Sequence, residues 1–381
     1  MRGSGSSMAK RQDKLPTLWD RPAHTKAKHD ILVKYLQAWF GIFGGSSHVG
    51  KVGVLDGFAG PGVYSKGEPG SPVLVLEALI DHRHFGRWAD TEFVFLFNER
   101  DSERFQSLKR IVEQELPKRW APWPNNVTVH AENENFTDLA ESILADVKPG
   151  HVLIPLFAFI DPFGYRDSSM DLIRRLLQYD KAELFIYFDF NSVNRFAGKG
   201  AGVDTRFEAL FGCDDFLQAP ERGPDRGQFL HDLYEAQLKK VCSFAHVRSF
   251  AMVNESGHIG NYLFFCTSNL QAFDRMKYAM WSLDPSGEYR FEDRLADQPV
   301  LFAGVLDTRP LQDDLAQHFA GQTISIETIR DYVIAETPYH SGQLKRETLA
   351  VLQRGGRISS PNQRRRNQYP DSTLLTFPFT P

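Results

Sequence analysis

The feature that most constrains the fold is a repeated alternation of short, strand-like apolar runs with helix-like segments. Five such runs of four or five residues occur in the first half of the chain, at 52–55, 93–97, 127–130, 156–160 and 184–188. Between them, residues 71–79, 102–115 and 170–177 have helical periodicity. Apolar strands that alternate with helices are typical of a parallel sheet covered on both faces, so we expect a doubly wound α/β fold.

Elements on either side of these runs complete the predicted domain. A helix is expected from about His29, where apolar residues recur on one helical face, and residues 44–47 (GGSS) end it. Residues 9–30 before it are basic and polar. Further along, 244–253 and 262–267 are expected to form an antiparallel pair that closes the sheet.

From about Ala303 the order of elements changes. Two helical patterns, 324–336 and 342–354, are separated by Pro338 and followed by an arginine-rich loop and an apolar strand at 373–379. This order of helix, turn, helix and ribbon predicts a winged helix. Residues 321–381 contain eight Lys and Arg against five acids, so this segment is positive in a chain whose net charge is −4.

We divide the 381 residues into four parts. Residues 1–8 look like a cloning remnant, and 9–50 form an N-terminal basic segment and helix. Residues 51–302 form the α/β domain, and 303–381 form the winged-helix domain.

Composition excludes several classes of protein. The chain has 44 Lys and Arg and 48 Asp and Glu, a balance that excludes a histone-like protein. Its 42% hydrophobic residues suffice for a sizeable core. Cys213, Cys242 and Cys266 are too widely spaced for a disulfide framework or zinc knuckle, so we expect reduced thiols, no metal site and a cytoplasmic location. No apolar run of membrane-spanning length occurs.

The strongest local motif is a glycine loop that ends the first strand, VGVLDGFAGPG at 52–62. In doubly wound folds this turn lies at the carboxyl edge of the sheet, where ligands bind. Asp56 is poorly placed for a pyrophosphate but suits a cationic ligand such as S-adenosylmethionine, which carries a sulfonium and an ammonium group. The G-x-G-x-x-G motif of NAD-binding folds and the G-K-[ST] of a Walker loop are both absent.

The loop resembles D-x-F-A-G-x-G, motif I of class I methyltransferases. The residues that carry it are Asp56, Gly57, Phe58, Ala59, Gly60 and Gly62. The resemblance implies a second acid after the second strand that binds the ribose of S-adenosylmethionine, and Glu99 has that position; alternatively, Glu99 is a solvated acid at a helix start. For the adenine, residues 132–135 (ENEN) offer four candidates among which the sequence does not select, and we take Asn133.

Asp161 ends the fourth strand and is followed by Pro162, Phe163 and Gly164. This resembles motif IV of amino-methyltransferases, [D/N/S]-P-P-[Y/F/W], without its second proline, and it is closer to the motif of tRNA N2,N2-dimethylguanosine methyltransferases. Asp161 and the Pro162 carbonyl would accept the two N–H groups of an exocyclic amine, and Phe163 would stack on the base. The alternative is that Asp161 caps the next helix. Asp189, after the fifth strand, either lines the substrate side or caps a helix.

The motifs together resemble the three-Cys-motif partner protein family (TcmP), bacterial methyltransferase-like proteins. The resemblance covers about residues 15–300, and the residues that carry it are Trp19, His24, Thr25, Lys28, Ile31, Leu32, Tyr35, Leu36, Trp39, the glycine loop with Tyr64, Gly70-Ser71-Pro72 and Asp161-Pro162-Phe163-Gly164. It implies a partner protein with a three-cysteine motif similar to radical-SAM iron–sulfur ligation. We read His24, Thr25, Lys28 and Tyr64 as substrate-side or cofactor-side residues; alternatively, Thr25 caps the helix start.

Three functions remain open from the sequence. The first is S-adenosylmethionine-dependent N-methylation of a nucleic-acid base, in DNA or tRNA, with phosphate contacts from Arg364, Arg365 and Arg366. The second is methylation of a protein or of a substrate generated by the partner protein. The third is a non-catalytic DNA-binding accessory subunit. The arginine run is also compatible with a solvated loop.

Overall fold

The structure is a computed structural model that describes residues 16–146, 154–162, 164, 167–177, 179, 181–293, 306–365 and 367–379. Its centre is one eight-stranded sheet. The strands are β1 (Lys51–Asp56), β2 (Glu92–Asn98), β3 (Val127–Glu132), β4 (Leu156–Ile160), β5 (Ala182–Phe188), β6 (His246–Val253), β7 (Ile259–Thr267) and β8 (Arg290–Glu292).

The strand order is β3-β2-β1-β4-β5-β7-β6-β8. Of these eight strands, seven run in one direction and β7 runs against its neighbours β5 and β6. The chain leaves β1 toward β2 and β3 and returns to β4, so the topological switch point lies between β1 and β4. The doubly wound α/β fold and the antiparallel closing pair expected from the sequence are confirmed.

Helices cover both faces of the sheet. They are α1 (Ala23–Gly44), α2 (Ser71–Ile80), α3 (Ser102–Arg110), α4 (Leu116–Arg119), α5 (Phe136–Asp146), α6 (Met170–Leu177), α7 (Phe190–Phe196), α8 (Ala201–Phe211), α9 (Pro224–Lys240) and α10 (Leu270–Leu283). One face packs against α1, α2, α3 and α10, and the other packs against α5 to α9.

The two faces have separate hydrophobic cores because strand side chains alternate. Phe157 and Phe159 of β4 face the α1 side, whereas Ala158 and Ile160 face the α6 side. All four side chains are buried. This double burial explains why the strands read as continuous apolar runs in the sequence.

The C-terminal part contains α11 (Arg309–His318), β9 (Thr323–Ser325), α12 (Ile326–Glu336), α13 (Ala350–Arg354) and β10 (Leu374–Thr376). A 3-10 turn and a π turn over 341–349 precede α13, so we call residues 341–354 the second helix of the winged-helix domain. Strand β10 pairs with β9 on one side and with Ser359 on the other. The ribbon therefore follows the two helices in the predicted order.

Several boundaries differ from those expected. Helix α1 begins at Ala23, after Pro22 in extended conformation, and not at about His29, because its polar first turns hide the apolar face in the sequence. Thr25 lies inside the first turn and is not the cap. The last strand is only Leu374–Thr376 and not 373–379. Residues 1–8, assigned as a cloning remnant, lie outside the described residues.

Cys242 and Cys266 are buried, Cys213 is partly buried, and all three are free thiols, as expected. No helix in the described part of the chain is both long and apolar enough to cross a membrane.

Candidate functional site

A cavity of about 310 Å³ lies at the switch point, at the carboxyl ends of β1 and β4. Most of the residues that line it were singled out from the sequence. These are Trp19, His24, Thr25, Lys28, Phe58, Ala59, Gly60, Tyr64, Ser71, Asp161, Pro162 and Asp189. Helix α1, the glycine loop, the start of α2 and the ends of β4 and β5 thus meet at one place.

The glycine loop is held in shape by Asp56. Its carboxylate accepts hydrogen bonds from the Ser71 hydroxyl, at 2.6 Å, and from the Phe58 backbone N–H, at 3.2 Å. Asp56 is 1% exposed and lies behind the cavity wall. Burial raises the pKa of Asp56 to about 7, and the hydrogen bond from Ser71 opposes this shift. A cation in the cavity would favour the ionised form.

Glycines are required at two positions of this loop. Gly60 has φ +64°, and the nearest atom that a Cβ there would meet is in Trp19, at 3.9 Å, so the space above Gly60 is open. Gly62 has φ +82°, and a Cβ there would lie 3.0 Å from the side chain of Ile111. The loop therefore presents bare backbone to the cavity on one side and packs tightly against α3 on the other.

Glu99 is buried, so the alternative of a solvated acid at a helix start is wrong. It accepts a hydrogen bond from the backbone N–H of Asp101, at 2.7 Å, and it is Asp101 that caps α3. Burial raises the pKa of Glu99, whereas a hydrogen bond from the Gly60 backbone lowers it. Glu99 thus contacts the glycine loop from the end of β2, although it does not line the cavity.

Asn133 joins the ends of β2 and β3. Its amide donates hydrogen bonds to the backbone carbonyls of Glu99, at 2.7 Å, and Arg100, at 3.0 Å. Asn98 acts similarly and donates to Gly57 and Glu134, each at 3.1 Å. Both amides have fold-stabilising partners, and a contact from Asn133 to adenine stays a prediction.

Lys28 and Asp161 form an ion pair at the edge of the cavity. Lys28 is 5% exposed, and its Nζ also lies 4.9 Å from the ring centroid of Tyr187. The alternative helix-cap role of Asp161 is wrong, because the next helix, α6, begins only at Met170. Asp161 and Pro162 therefore face the cavity, and Phe163 lies outside the described residues.

Asp189 caps a helix and also lines the cavity, and its role toward a substrate stays a prediction. Its carboxylate caps α7 by accepting the Ser192 backbone N–H, at 3.1 Å, and the residue also lines the cavity. Tyr64 lines the opposite wall and packs edge-on against Trp19, with ring centroids 6.0 Å apart. Burial raises the pKa of Tyr64.

A second polar pair was missed from the sequence. His24 Nδ1 lies 3.2 Å from Asp293 Oδ2, and the other carboxylate oxygen of Asp293 is buried without a hydrogen-bond partner. Asp293 follows β8, which joins the sheet beside β6 and which no periodicity indicated. Asn261 and Tyr187 also line the cavity, and neither belongs to a motif that could have identified it.

The predicted phosphate-binding arginines are not part of this cavity. Arg364 and Arg365 are exposed in the winged-helix domain, between Ser359 and β10, and Arg366 lies outside the described residues. No group of three or more His, Cys, Asp or Glu side chains among the described residues has the geometry of a metal site.

Comparisons with known proteins identify the C-terminal domain. The family model described as a GMT-like wHTH domain matches residues 290–363. The winged helix expected from the sequence is therefore confirmed. No protein with a curated description matches the chain.

Similar solved structures are remote. One is human methyltransferase-like protein 13 in complex with SAH, with a TM-score of 0.32, 12% identity, and coverage of 68% of this chain and 91% of that one. Another is a DUF574 family protein from Streptomyces avermitilis, with a TM-score of 0.30, 9% identity, and coverage of 64% and 84%. Likenesses at this level assign neither an activity nor a substrate.

Proposed function

We propose that the protein is an S-adenosylmethionine-dependent methyltransferase that acts on an exocyclic amine of a nucleic-acid base. The observation that carries the proposal is the shared cavity of the glycine loop and the Asp161-Pro162 segment at the switch point. A cofactor site and a candidate amine-binding group thus open into the same space. Ligands of doubly wound sheets bind at this place in the topology.

The residues present fit the cofactor. The open space above Gly60 admits a ligand against bare backbone, and the buried carboxyl of Asp56 supplies negative charge behind the loop. Glu99 follows β2, at the position where the resemblance to class I methyltransferases implies an acid that binds the ribose. S-adenosylmethionine would supply an electrophilic methyl group next to Asp161.

The protein must bind an exocyclic amine, which is a weak nucleophile, and provide an acceptor for the proton that this amine loses. An exocyclic amine becomes more nucleophilic when its N–H groups donate to fixed acceptors, and Asp161 with the Pro162 carbonyl offers two. As the nitrogen takes the methyl group, the electron pair of the broken S–C bond stays on sulfur and the nitrogen must lose one proton. His24 is a suitable acceptor, because it lines the cavity and Asp293 holds its Nδ1 side, whereas the Asp161 carboxylate is already paired with Lys28.

One observation favours a second candidate, a non-catalytic accessory subunit. Lys28 occupies the carboxylate of Asp161, which the amine would have to reach. In an active enzyme the substrate amine must share or displace this ion pair, whereas in a binding subunit the pair would simply stabilise the fold. Substitution of Asp161 distinguishes the two candidates.

The proposal includes the TcmP family assignment and a three-cysteine partner protein. It rests on the residues that resemble that family, many of which line the cavity. Methylation of a protein or of a substrate made by the partner would use the same cofactor residues. The substrates screened should therefore include the partner as well as DNA and tRNA.

The first experiment is calorimetry of S-adenosylmethionine binding to the full chain. We expect micromolar binding to wild type, loss of binding in Asp56→Ala, and weakened binding in Asp56→Asn, which keeps one of the two acceptor oxygens without the charge. Asp90→Ala, which removes an exposed carboxylate elsewhere, should bind as wild type does. Absence of binding to folded wild-type protein would contradict the methyltransferase proposal.

The second experiment is tritium-methyl transfer to DNA, tRNA and the partner protein. Asp161→Asn should retain cofactor binding and lose transfer by about a hundredfold, because the amide is a weaker hydrogen-bond acceptor than the carboxylate and can turn an N–H group toward the amine. Retained transfer in Asp161→Asn would remove Asp161 from the chemistry. Cofactor binding without transfer to any substrate would favour the accessory subunit.

A further inference from the structure

A second concave surface lies outside the candidate cavity, between α1, the turn after α2 and α10. We call it the α1–α10 groove, and its volume is about 860 Å³. We propose that the α1–α10 groove binds the phosphate backbone of a double-stranded nucleic acid that also contacts the winged-helix domain. The inference deepens the nucleic-acid part of the proposed function and rests on it.

The groove has an excess of positive charge. Lys34, Arg83 and Arg275 line it, and none of the three forms an ion pair within the described part of the chain. Its single acid, Asp81, is already contacted by Trp120 Nε1, at 2.9 Å, and by Arg119, at 3.8 Å. The whole chain has more acidic than basic residues. Its composition alone therefore does not explain a cluster of cations without acidic partners. It is suited to phosphates, which supply most of the affinity for nucleic acid.

An exposed aromatic ring accompanies these cations. Tyr278 is 48% exposed on α10, and the Nζ of Lys34 lies 5.1 Å from its ring centroid. Tyrosine hydroxyls donate to phosphates, and exposed rings stack on sugars or bases.

The groove is joined directly to the winged-helix domain. Asp274, beside Arg275, accepts hydrogen bonds from the Ser341 N–H, at 2.7 Å, and hydroxyl, at 2.6 Å. The ring of Tyr278 packs edge-on against His340, with centroids 5.2 Å apart. Residue 341 begins the second helix of the winged-helix domain. The basic groove and this helix therefore border each other.

That helix is basic and exposed at its start. Lys345 and Arg346 are exposed, and among the described residues their acidic partners are Asp371, at 3.3 Å, and Glu347, at 3.7 Å. Exposed pairs of this kind are weak and compete poorly with phosphates. The groove thus extends the positive surface of the second helix across α10 to α1.

The arrangement also places the groove near the cavity. Lys28 in the cavity and Lys34 in the groove lie on one helix, roughly 9 Å apart along its axis at 1.5 Å per residue. A duplex held by its backbone in the groove would be close to a cavity that admits one extruded base.

The test is fluorescence anisotropy of the full chain with a labelled duplex DNA of mixed sequence and, separately, with tRNA. Binding is measured from about 50 to about 200 mM salt. In Arg83→Ala/Arg275→Ala the slope of log K against log salt should fall by about two, since each phosphate contact contributes about one. Affinity at low salt should fall about tenfold or more.

The matched control is Arg206→Ala/Lys240→Ala. It removes two exposed cations from α8 and α9, on the opposite face of the sheet, and should leave the slope unchanged. Tyr278→Ala should weaken binding without changing the slope. Calorimetry with S-adenosylmethionine should give wild-type values for the groove variant, which separates failure of the groove from failure of the methyltransferase proposal.

Three outcomes would overturn the inference. They are no binding of either nucleic acid by wild type, a groove variant that binds as wild type does, and an equal loss in groove and control variants, which would reflect net charge alone. A loss confined to the groove variant supports it.

Discussion

Lys28 is the residue whose position most affects how the cavity can work. A buried ammonium is costly unless it is paired, and here Asp161 pairs with it while the ring of Tyr187 faces it. The ion pair offsets the cost of burying Lys28 and also occupies the carboxylate proposed to receive an amine. A substrate that enters must therefore replace the Lys28 ammonium with a hydrogen-bond donor of its own. This favours a substrate with N–H groups over an apolar one.

At the same scale, Asp56 predicts how cofactor binding depends on pH. Its pKa is raised to about 7 by burial, and the ionised form is the one that attracts a sulfonium. Affinity for S-adenosylmethionine should rise with pH and approach its plateau above about pH 8, whereas below about pH 7 it should fall by up to tenfold per pH unit. Calorimetry at several pH values and constant ionic strength measures this dependence.

Asp56→Asn provides the control for that prediction. The variant keeps one of the two acceptor oxygens and shares any titration of the ligand itself, but it lacks the carboxyl group. Its affinity should be weaker and flatter with pH than that of wild type. Equal pH dependence in the two proteins would show that Asp56 does not titrate on binding.

Among the elements, α1 does most to define the site. It crosses the sheet and is fastened to β5 by Tyr35, whose hydroxyl donates to the buried carboxyl of Glu183, and to the end of β4 by Lys28. Both contacts lie on the face of α1 that packs on the sheet. The helix is thus held at the position where its first turns close the cavity.

The burial of Glu183 makes stability depend on pH, and the hydrogen bond from Tyr35 opposes the effect. Burial raises the pKa of Glu183 from 4.5 to about 8, so the folded state holds a proton that the unfolded state loses between these values. Stability should therefore decrease as pH rises from about 5 to about 8. In Glu183→Gln this decrease should be smaller, with the part due to Asp56 remaining, as measured by urea midpoints.

Tyr35→Phe tests the hydrogen bond itself. It leaves the buried carboxyl without its hydroxyl donor and should destabilise the protein by about 1–3 kcal/mol. Tyr278→Phe, at an exposed tyrosine, should have no measurable effect. Equal stability of wild type and Tyr35→Phe would mean that the contact contributes little to holding α1.

Elements with strong apolar patterns were predictable. The bounds of β4 and α6 match those expected, because both are short, fully patterned segments. Helices α5, α7 and α11, and strand β8, were not predicted. Strand β8 has only three residues and no apolar alternation, and its pairing with β6 depends on long-range contacts that no local pattern encodes.

The residues of the candidate site also fall into those that the sequence predicted and those that it did not. Asp56, Glu99 and Asp161 were found because each follows a strand, and parallel strands end at the same edge of a sheet. Asp293 could not be predicted in this way, because its partner His24 is 269 residues away in the sequence. The pairing of Lys28 with Asp161 also depends on how α1 crosses the sheet, which the sequence does not state.

At the scale of the whole molecule, the two domains share one hydrophobic core. The core on the α1 side continues from the sheet into α11 and α12, so the winged-helix domain packs as an integral part of that face. The same contact brings the second helix of the winged-helix domain next to the α1–α10 groove. A surface built from both domains is therefore possible only while they stay docked.

Docking depends strongly on Lys277, which is 0% exposed. Its Nζ donates to the carbonyls of Val333, Ile334 and Thr337, at 3.2, 2.9 and 2.8 Å, where α12 ends. Burial lowers the pKa of Lys277 to about 6, so its contribution at this position is the hydrogen bonds to these carbonyls. Lys277→Met should remove the lysine donor from the Ile334 and Thr337 carbonyls, whereas Val333 keeps its hydrogen bond from the Thr337 hydroxyl, and should destabilise the docked state by roughly 2–4 kcal/mol.

The measurement that isolates docking is amide hydrogen exchange. In Lys277→Met, the amides of α12 should exchange faster while those of β4 and β5, in the centre of the sheet, keep their wild-type rates. Lys240→Met, at an exposed lysine on α9, should change neither set. Equal acceleration of all these amides in Lys277→Met would instead mean that the lysine stabilises the whole fold, and that the two domains do not separate before they unfold. Because the proposed duplex contacts both the α1–α10 groove and the second helix of the winged-helix domain, Lys277→Met should also weaken duplex binding in proportion to the undocked fraction.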